Sequence, residues 1–135
     1  MQNLFVGMAC RKKLSVGTKD SDSFWGGGFG VLSSPSLIGY VEMACVEATD
    51  KRIDHSYTTV GVRFDFVHLA PTPVGFEVEI EVELVEFDLK MLTYKVEVAD
   101  LRDGSVVFKG THRRGLVKRN DFEEKILSML NPTAT

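Results

Sequence analysis

Cysteine is scarce in this chain of 135 residues, and its scarcity excludes two classes of protein. Only Cys10 and Cys45 occur, which makes a poor disulfide framework, and neither has histidines nearby at the spacing of a metal site. The sequence therefore predicts no metal and two free thiols, as in a reducing cytoplasm. Because Cys45 lies among Val41, Ala44 and Ala48, we interpret it as a small hydrophobic core residue.

Long apolar runs and an excess of positive charge are also missing. No run approaches the roughly 18 residues that a membrane-spanning helix requires, and the basic residues 11–13 follow the apolar start instead of preceding it as in a signal peptide. With 16 Lys and Arg against 19 Asp and Glu, the net charge is −3, which does not attract a polyanion. We expect a soluble, cytoplasmic protein that binds neither nucleic acid nor a membrane.

The length and the composition are those of one ordinary globular domain. Apolar residues make up 44% of the chain and charged residues 26%, both close to the average for soluble proteins. A chain of this length buries enough surface to fold without disulfides. Since no repeat or linker interrupts it, we expect a single domain over residues 1–135.

The first third of the chain predicts an edge strand, a glycine-rich loop and a buried helix. Residues 8–16 suit an edge strand, and residues 24–30 read FWGGGFG, which favours a lid or a close backbone approach. Ser34 followed by Pro35 is a helix-start signal with Ser34 as the N-cap candidate. The helix is expected to run to about Thr49 and to be buried on most sides, because apolar side chains surround its axis.

From residue 57 to residue 103 the hydrophobic period becomes two, and with a fourth run over residues 105–118 this predicts four antiparallel strands. In residues 57–68 the residues of one parity are Val60, Val62, Phe64, Phe66 and His68, so His68 is expected to end an apolar face. In residues 76–84 apolar residues alternate with four glutamates, and the phase slips near residue 85, as at a β-bulge.

The end of the chain predicts a hairpin turn and a short helix. Asp103-Gly104 is the turn signal, and Asn120 is the expected N-cap of the last helix, with an apolar stripe at Phe122, Ile126, Met129 and Leu130. The predicted class is therefore α+β, with one long helix lying across a curved antiparallel sheet.

Three polar residues lie where the pattern calls for apolar ones: Ser34 at the helix start, Glu42 within the helix and His68 at the strand end. A hydroxyl, a carboxylate and an imidazole together can perform acid–base or nucleophilic chemistry. Taken singly, a serine there is more often only an N-cap, and such a histidine is usually structural or exposed. Burying Glu42 without partners is costly, however, and the combination points to a site.

The late basic cluster at His112, Arg113 and Arg114 has two possible interpretations. These residues can bind phosphate groups, or they can simply form the solvated edge of a strand. His55, in a polar loop, is expected to be exposed and without function.

Three segments carry a resemblance to a known family: VLSSPSLIGYVEMACVEAT, TVGVRFDFVHLAPTPVG and FKGTHRRGLV. With their order and spacing across residues 31–122, the chain resembles the hotdog-fold thioesterases of the fluoroacetyl-CoA thioesterase-like branch. The resemblance implies a homodimer with active sites at the subunit interface, and it leaves open whether two dimers pair into a tetramer. It also implies hydrolysis of an acyl-CoA substrate without a cofactor.

By position, the resemblance implies that Ser34, Glu42 and His68 are catalytic and that Gly61 and Arg114 contact the substrate. Ser34 stands where the family commonly has a threonine, and the glycine-rich loop at residues 26–30 does not reproduce the bulky lid expected of a fluoroacetate-selective enzyme. We therefore expect a small or medium acyl group and leave its identity open. The alternatives are a non-catalytic module that binds acyl-CoA or a related metabolite, and a hotdog hydratase.

Overall fold

The computed structural model describes residues 3–132, so the first two and the last three residues of the predicted domain lie outside the described residues. The predicted α+β class is confirmed. The elements in chain order are β1 (Ala9–Ser15), α1 (Ser34–Thr49), β2 (Tyr57–His68), β3 (Glu77–Asp88), β4 (Met91–Asp100), β5 (Val106–Lys118) and α2 (Arg119–Leu130). Within residues 3–132, no helix combines the length and the apolar character needed to cross a membrane.

The five strands form one antiparallel sheet in the order β1-β3-β4-β5-β2, and α1 packs on one of its faces. As predicted, β1 is an edge strand, and the alternation in β3 separates a core face from an acidic face. The four apolar residues of β3 before its register shift are at most 1% exposed and belong to one core cluster with the buried side of α1: Val78, Ile80, Val82 and Leu84 from β3, and Leu37, Val41, Ala44 and Cys45 from α1. The core therefore lies between α1 and the sheet.

Three register shifts interrupt the pairing, and only one of them was predicted; one lies between β4 and β5, at Val98 and Ala99. The register of β3 against β4 shifts between Leu84 and Glu86, which confirms the predicted slip. The register of β2 against β5 also shifts, between Gly61 and Arg63, leaving Val62 as the extra residue. The prediction of one continuous apolar face along β2 is therefore wrong. Val62 is 53% exposed and Phe64 46%.

One side of α1 and the edge of the sheet formed by β2 are uncovered. The sequence predicted a helix buried on most sides, but Gly39 and Met43 on the side away from the core are exposed. Strand β2 ends the sheet, so its outer edge has no partner strand among residues 3–132. Exposed strand edges of this length, with apolar side chains on them, are normally covered in folded proteins.

The two helices begin differently from the predictions. Ser33, not Ser34, is the N-cap of α1, because its Oγ accepts a hydrogen bond from the Ser36 N–H at 3.2 Å while Ser34 is already helical. The N-cap of α2 is Lys118, with no side-chain cap, so the prediction for Asn120 is also wrong. The predicted apolar stripe of α2 is present but exposed.

The N-cap assignment predicts unequal effects of two neighbouring substitutions. Ser33→Ala removes the bond to Ser36 and should lower the free energy of unfolding by about 1 kcal/mol. Ser34→Ala removes no cap and should change it by less than about 0.5 kcal/mol. Urea denaturation of both variants measures the difference, and an equal loss in the two would contradict the assignment.

Candidate active site

Ser34 and His68 come together at one end of α1. The Oγ of Ser34 lies 2.7 Å from Nδ1 of His68, across 34 residues of chain. Since Ser33 caps the helix, the hydroxyl of Ser34 is free to contact the imidazole. Strand β2 delivers His68 as its last residue, so the position of the pair depends on where this strand ends relative to the first turn of α1.

The surroundings of His68 favour its neutral form. Burial lowers the pKa of the imidazole below its ordinary value of 6.5, and the nearby backbone of Ala70 opposes this only in part. A neutral imidazole that accepts the Ser34 hydroxyl hydrogen at Nδ1 carries its own proton on Nε2. That second nitrogen is buried and has no hydrogen-bond partner within residues 3–132.

A cavity of about 540 Å³ opens beside this pair. Trp25 and Gly27 of the glycine-rich loop line it together with Asp22. The carboxylate of Asp22 accepts hydrogen bonds from the backbone N–H groups of three loop residues, Phe29 (3.1 Å), Gly30 (2.9 Å) and Val31 (3.2 Å). A Cβ on Gly27 would overlap that carboxylate, so the loop does make the close backbone approach that was one of its two predicted roles.

Glu42 belongs to a separate cluster, where its charge is paired. Oε2 of Glu42 accepts a hydrogen bond from Nη1 of Arg114 at 3.0 Å. The guanidinium is itself held by Thr59, because Nε donates to the Thr59 hydroxyl and Nη2 donates to its carbonyl oxygen, both at 3.0 Å. Arg114 thus ties β5 to β2 and α1, and it supplies the partner that a carboxylate on a mostly apolar helix requires.

His112 also belongs to the Glu42 cluster and is fully buried. Its Nδ1 lies 2.9 Å from the carbonyl oxygen of Arg63, and its Nε2 lies 3.3 Å from Nη1 of Arg114. Burial lowers its pKa, which agrees with a neutral ring that donates from Nδ1 and accepts at Nε2. Because His112 and Arg114 are both buried, the solvated-edge interpretation of the basic cluster is wrong for these two residues.

Gly61 has a clear steric role in the same cluster. A Cβ at this position would lie 2.5 Å from Oε2 of Glu42 and 3.0 Å from the Phe64 ring. The missing side chain therefore makes room for the carboxylate, next to the bulge in β2. The structure brings Glu42, Gly61 and Arg114 together, separately from Ser34 and His68.

Within one chain the two groups do not meet. Ser34 and Glu42 are eight residues apart on the same helix, which corresponds to about 12 Å along its axis. The cavity beside Ser34 and His68 is not lined by Glu42 or Arg114. The residues predicted for one site therefore lie in two groups within the chain, at different heights of α1.

Sequence reasoning missed the structural roles of three polar residues: Asp22, Thr59 and His112. Thr59 had no signal in the sequence, because its neighbour Thr58 is polar too, and its burial is visible only in the structure. Asp22 had none, since a carboxylate in a polar stretch looks solvated. No group of three or more potential metal ligands occurs among the residues that the structure describes.

Comparison with known proteins identifies the family of this chain. The family model of the fluoroacetyl-CoA-specific thioesterase FlK matches residues 16–120. The chain belongs to this family. Membership makes it a thioester hydrolase that acts on acyl-CoA, which confirms the activity that the resemblance implied.

Individual relatives agree with the family assignment. The chain is 27% identical over 96 residues to the fluoroacetyl-CoA thioesterase of Streptantibioticus cattleyicolor, covering 71% of this chain and 68% of the relative. It superimposes with a TM-score of 0.83 on a fluoroacetyl-CoA thioesterase variant solved with acetyl-CoA, at 22% identity over 93% of this chain and 98% of the other. A thioesterase superfamily member from Thermus thermophilus gives a TM-score of 0.89 at 13% identity, covering 98% and 97%. These similarities confirm the hotdog fold.

The lowered pKa of His68 predicts the acid limb of the pH profile. If neutral His68 accepts a proton during turnover, kcat/KM should fall only as the pH drops through a value below 6.5, the ordinary pKa of histidine. Initial rates between pH 4.5 and about 8 measure this limb. A midpoint above 6.5 would contradict the proposed environment of His68.

The steric role of Gly61 predicts a loss of turnover from one methyl group. Gly61→Ala should push the Glu42 carboxylate away from its position, and a displacement of about 1 Å commonly costs about 10²-fold in rate. Turnover and far-UV circular dichroism of the variant are the measurements. Wild-type kcat with an unchanged fold would show that the position of Glu42 is not critical.

Proposed function

We propose that this chain hydrolyses a small or medium acyl-CoA thioester to the free acid and CoA, with Ser34, Glu42 and His68 as its catalytic residues. The observation that supports the site is the 2.7 Å contact between Ser34 Oγ and His68 Nδ1 beside an open cavity. A hydroxyl bonded to a neutral imidazole is the minimum arrangement for moving a proton off an attacking oxygen. Gly61 and Arg114 are proposed as substrate-binding residues.

His68 acts as the general base in either of two routes. In the first, Ser34 Oγ attacks the thioester carbonyl as its proton passes to Nδ1, and the thiolate then leaves and takes that proton. Water afterwards hydrolyses the acyl-serine. In the second, Ser34 holds a water molecule that attacks directly while its proton passes to His68. Both routes release the same acid and the same thiol.

The start of α1 contributes to the stabilisation of the developing oxyanion. Pro35 has no N–H, and the N–H of Ser36 already donates to Ser33, so the first turn offers few free donors. The positive end of the helix dipole still lies at Ser34, next to the reacting carbonyl in both routes.

We further propose that residues 1–135 form a single hotdog domain that acts in the cytoplasm as a homodimer. The uncovered edge of β2 and the bare side of α1 support this assembly, because a second copy would cover both. The buried Nε2 of His68, which has no hydrogen-bond partner among residues 3–132, also supports it, since such a donor calls for an acceptor. In this proposal Glu42 of one protomer serves the Ser34–His68 pair of its partner. The same proposal allows two such dimers to pair into a tetramer.

Arg114 has a defined place in this scheme. The residue is 6% exposed, and its guanidinium is bonded to Glu42 and Thr59, which suits a contact with the thioester carbonyl of the substrate and not with the far end of its acyl group. Arg113 is only half-buried, and its Nε bonds Thr93. The nucleotide end of CoA is therefore better matched by surface cations such as Arg113 than by Arg114.

The test of the function is thiol release from a panel of acyl-CoA esters. His68→Ala and Glu42→Gln should each lower kcat by about 10²–10⁴-fold, because each removes a group that acts in the transition state. His55→Ala is the matched control, since the side chain of His55 is exposed and does not line the cavity beside Ser34 and His68. Tight acyl-CoA binding without thiol release by the parent protein would replace the proposal with a non-catalytic binding module.

A mixing experiment tests whether the site is shared between protomers. If Glu42 and His68 of one site come from different chains, heterodimers of Glu42→Gln and His68→Ala carry one intact site, so mixing the two variants should restore about one quarter of the activity. If both residues act within one chain, every site in the heterodimer carries one defect and activity stays absent. Unfolding and refolding the mixture ensures exchange of subunits.

A further inference from the structure

Among the residues that the structure describes, those lining the Ser34–His68 cavity carry one negative charge and no positive one. We propose that this cavity selects acyl groups without a charge and excludes those that carry a carboxylate, with Asp22 as the specificity-determining residue. The inference rests on the proposed thioesterase function and names the substrate class of that same site.

The charge of Asp22 is permanent near neutral pH. The hydrogen bonds that its carboxylate accepts from the loop backbone, with that of Phe29 foremost, lower its pKa below the ordinary value. Those bonds also fix the carboxylate in place, so it cannot turn away from the cavity without releasing residues 29–31. The negative charge is thus part of the fixed shape of the cavity wall.

The backbone N–H groups and the Ser21 hydroxyl stabilise this carboxylate, but no cation of the described residues lines the cavity beside it. Among residues 3–132, the lining includes no lysine or arginine. His68 is the remaining titratable residue of the lining, and its lowered pKa keeps it neutral at pH 7. A substrate carboxylate entering here would lose water and meet a like charge without a counterion, which is unfavourable on both counts.

The rest of the lining suits an apolar acyl chain. Trp25, Leu32, Leu69 and Pro71 contribute apolar surface to the cavity. Its volume of about 540 Å³ lies within the range of small-molecule sites, which is about 300–1,000 Å³. Each additional buried methylene should therefore improve binding until the cavity is filled. Size and charge together indicate a neutral acyl group larger than acetyl.

Two esters with four-carbon acyl groups isolate the effect of charge. Butyryl-CoA and succinyl-CoA have acyl chains of equal length and differ by a terminal carboxylate. We expect kcat/KM for butyryl-CoA to exceed that for succinyl-CoA by about tenfold or more at low salt, with the ratio narrowing as salt is added. Equal values for the two esters, or a preference for succinyl-CoA, would overturn the proposal.

Variants of Asp22 test whether this residue is the cause. Asp22→Asn should reduce the butyryl/succinyl ratio several-fold, whereas Asp22→Glu keeps the charge and should keep the ratio even if both rates fall. A general disturbance of the loop lowers both rates and leaves their ratio unchanged. Asp103→Asn is the matched control, because Asp103 also caps a backbone N–H, that of Ser105 at 2.9 Å, but lies outside the cavity. An unchanged ratio in Asp22→Asn would rule out the assigned role.

Failure of the thioesterase function would give a different result. No thiol release from any ester in the panel would contradict the function, not the charge selection. Calorimetric titration of the wild-type protein with the same two esters then reads the selection directly as a ratio of dissociation constants. Weaker binding of succinyl-CoA by about tenfold supports the proposal, and equal affinity overturns it.

Discussion

The ion pair between Arg114 and Glu42 is the interaction on which the arrangement of this molecule depends. Helix α1 packs apolar residues against the sheet, yet it also carries a carboxylate on a partly buried side. That carboxylate is tolerated because a guanidinium from β5 reaches it, held in place by two bonds to Thr59 of β2. One side chain thereby links the helix to both strands at the uncovered end of the sheet, and the free space left by Gly61 makes the contact possible.

The neutral state of His112 is part of the same arrangement. Protonation of its ring would place a second positive charge against Arg114, in a position already closed to water. The carbonyl of Arg63 fixes the tautomer, so the nitrogen facing Arg114 is an acceptor. The two histidines of the cluster and the cavity, His112 and His68, are thus both kept neutral by burial. Their surroundings differ, because only His68 contacts a hydroxyl group, that of Ser34, beside an open cavity.

Much of the fold and half of the site followed from the sequence, for identifiable reasons. The alternation in β3 predicted its core face and its bulge, since a period of two leaves little ambiguity over a long strand. The helix start was misplaced by one residue, because Ser33 and Ser34 are equally good caps and only the backbone conformation distinguishes them. The bulge at Gly61 and the pairing of Arg114 with Glu42 could not be predicted, since both depend on contacts between residues far apart in the chain. Ser34, Glu42 and His68 were predicted to form one site. The structure pairs Ser34 with His68 and places Glu42 in a separate cluster with Arg114.

The packing of Glu42, Gly61 and Arg114 constrains how a sequence of this kind can diverge. Loss of Arg114 strands a carboxylate, loss of Glu42 strands a guanidinium, and any side chain at position 61 collides with the pair. Each single change is therefore harmful in the background of the other two, so the order in which substitutions arise matters. Related sequences without a carboxylate at position 42 are expected to differ at all three positions. Related sequences that keep one of the three residues are expected to keep the other two.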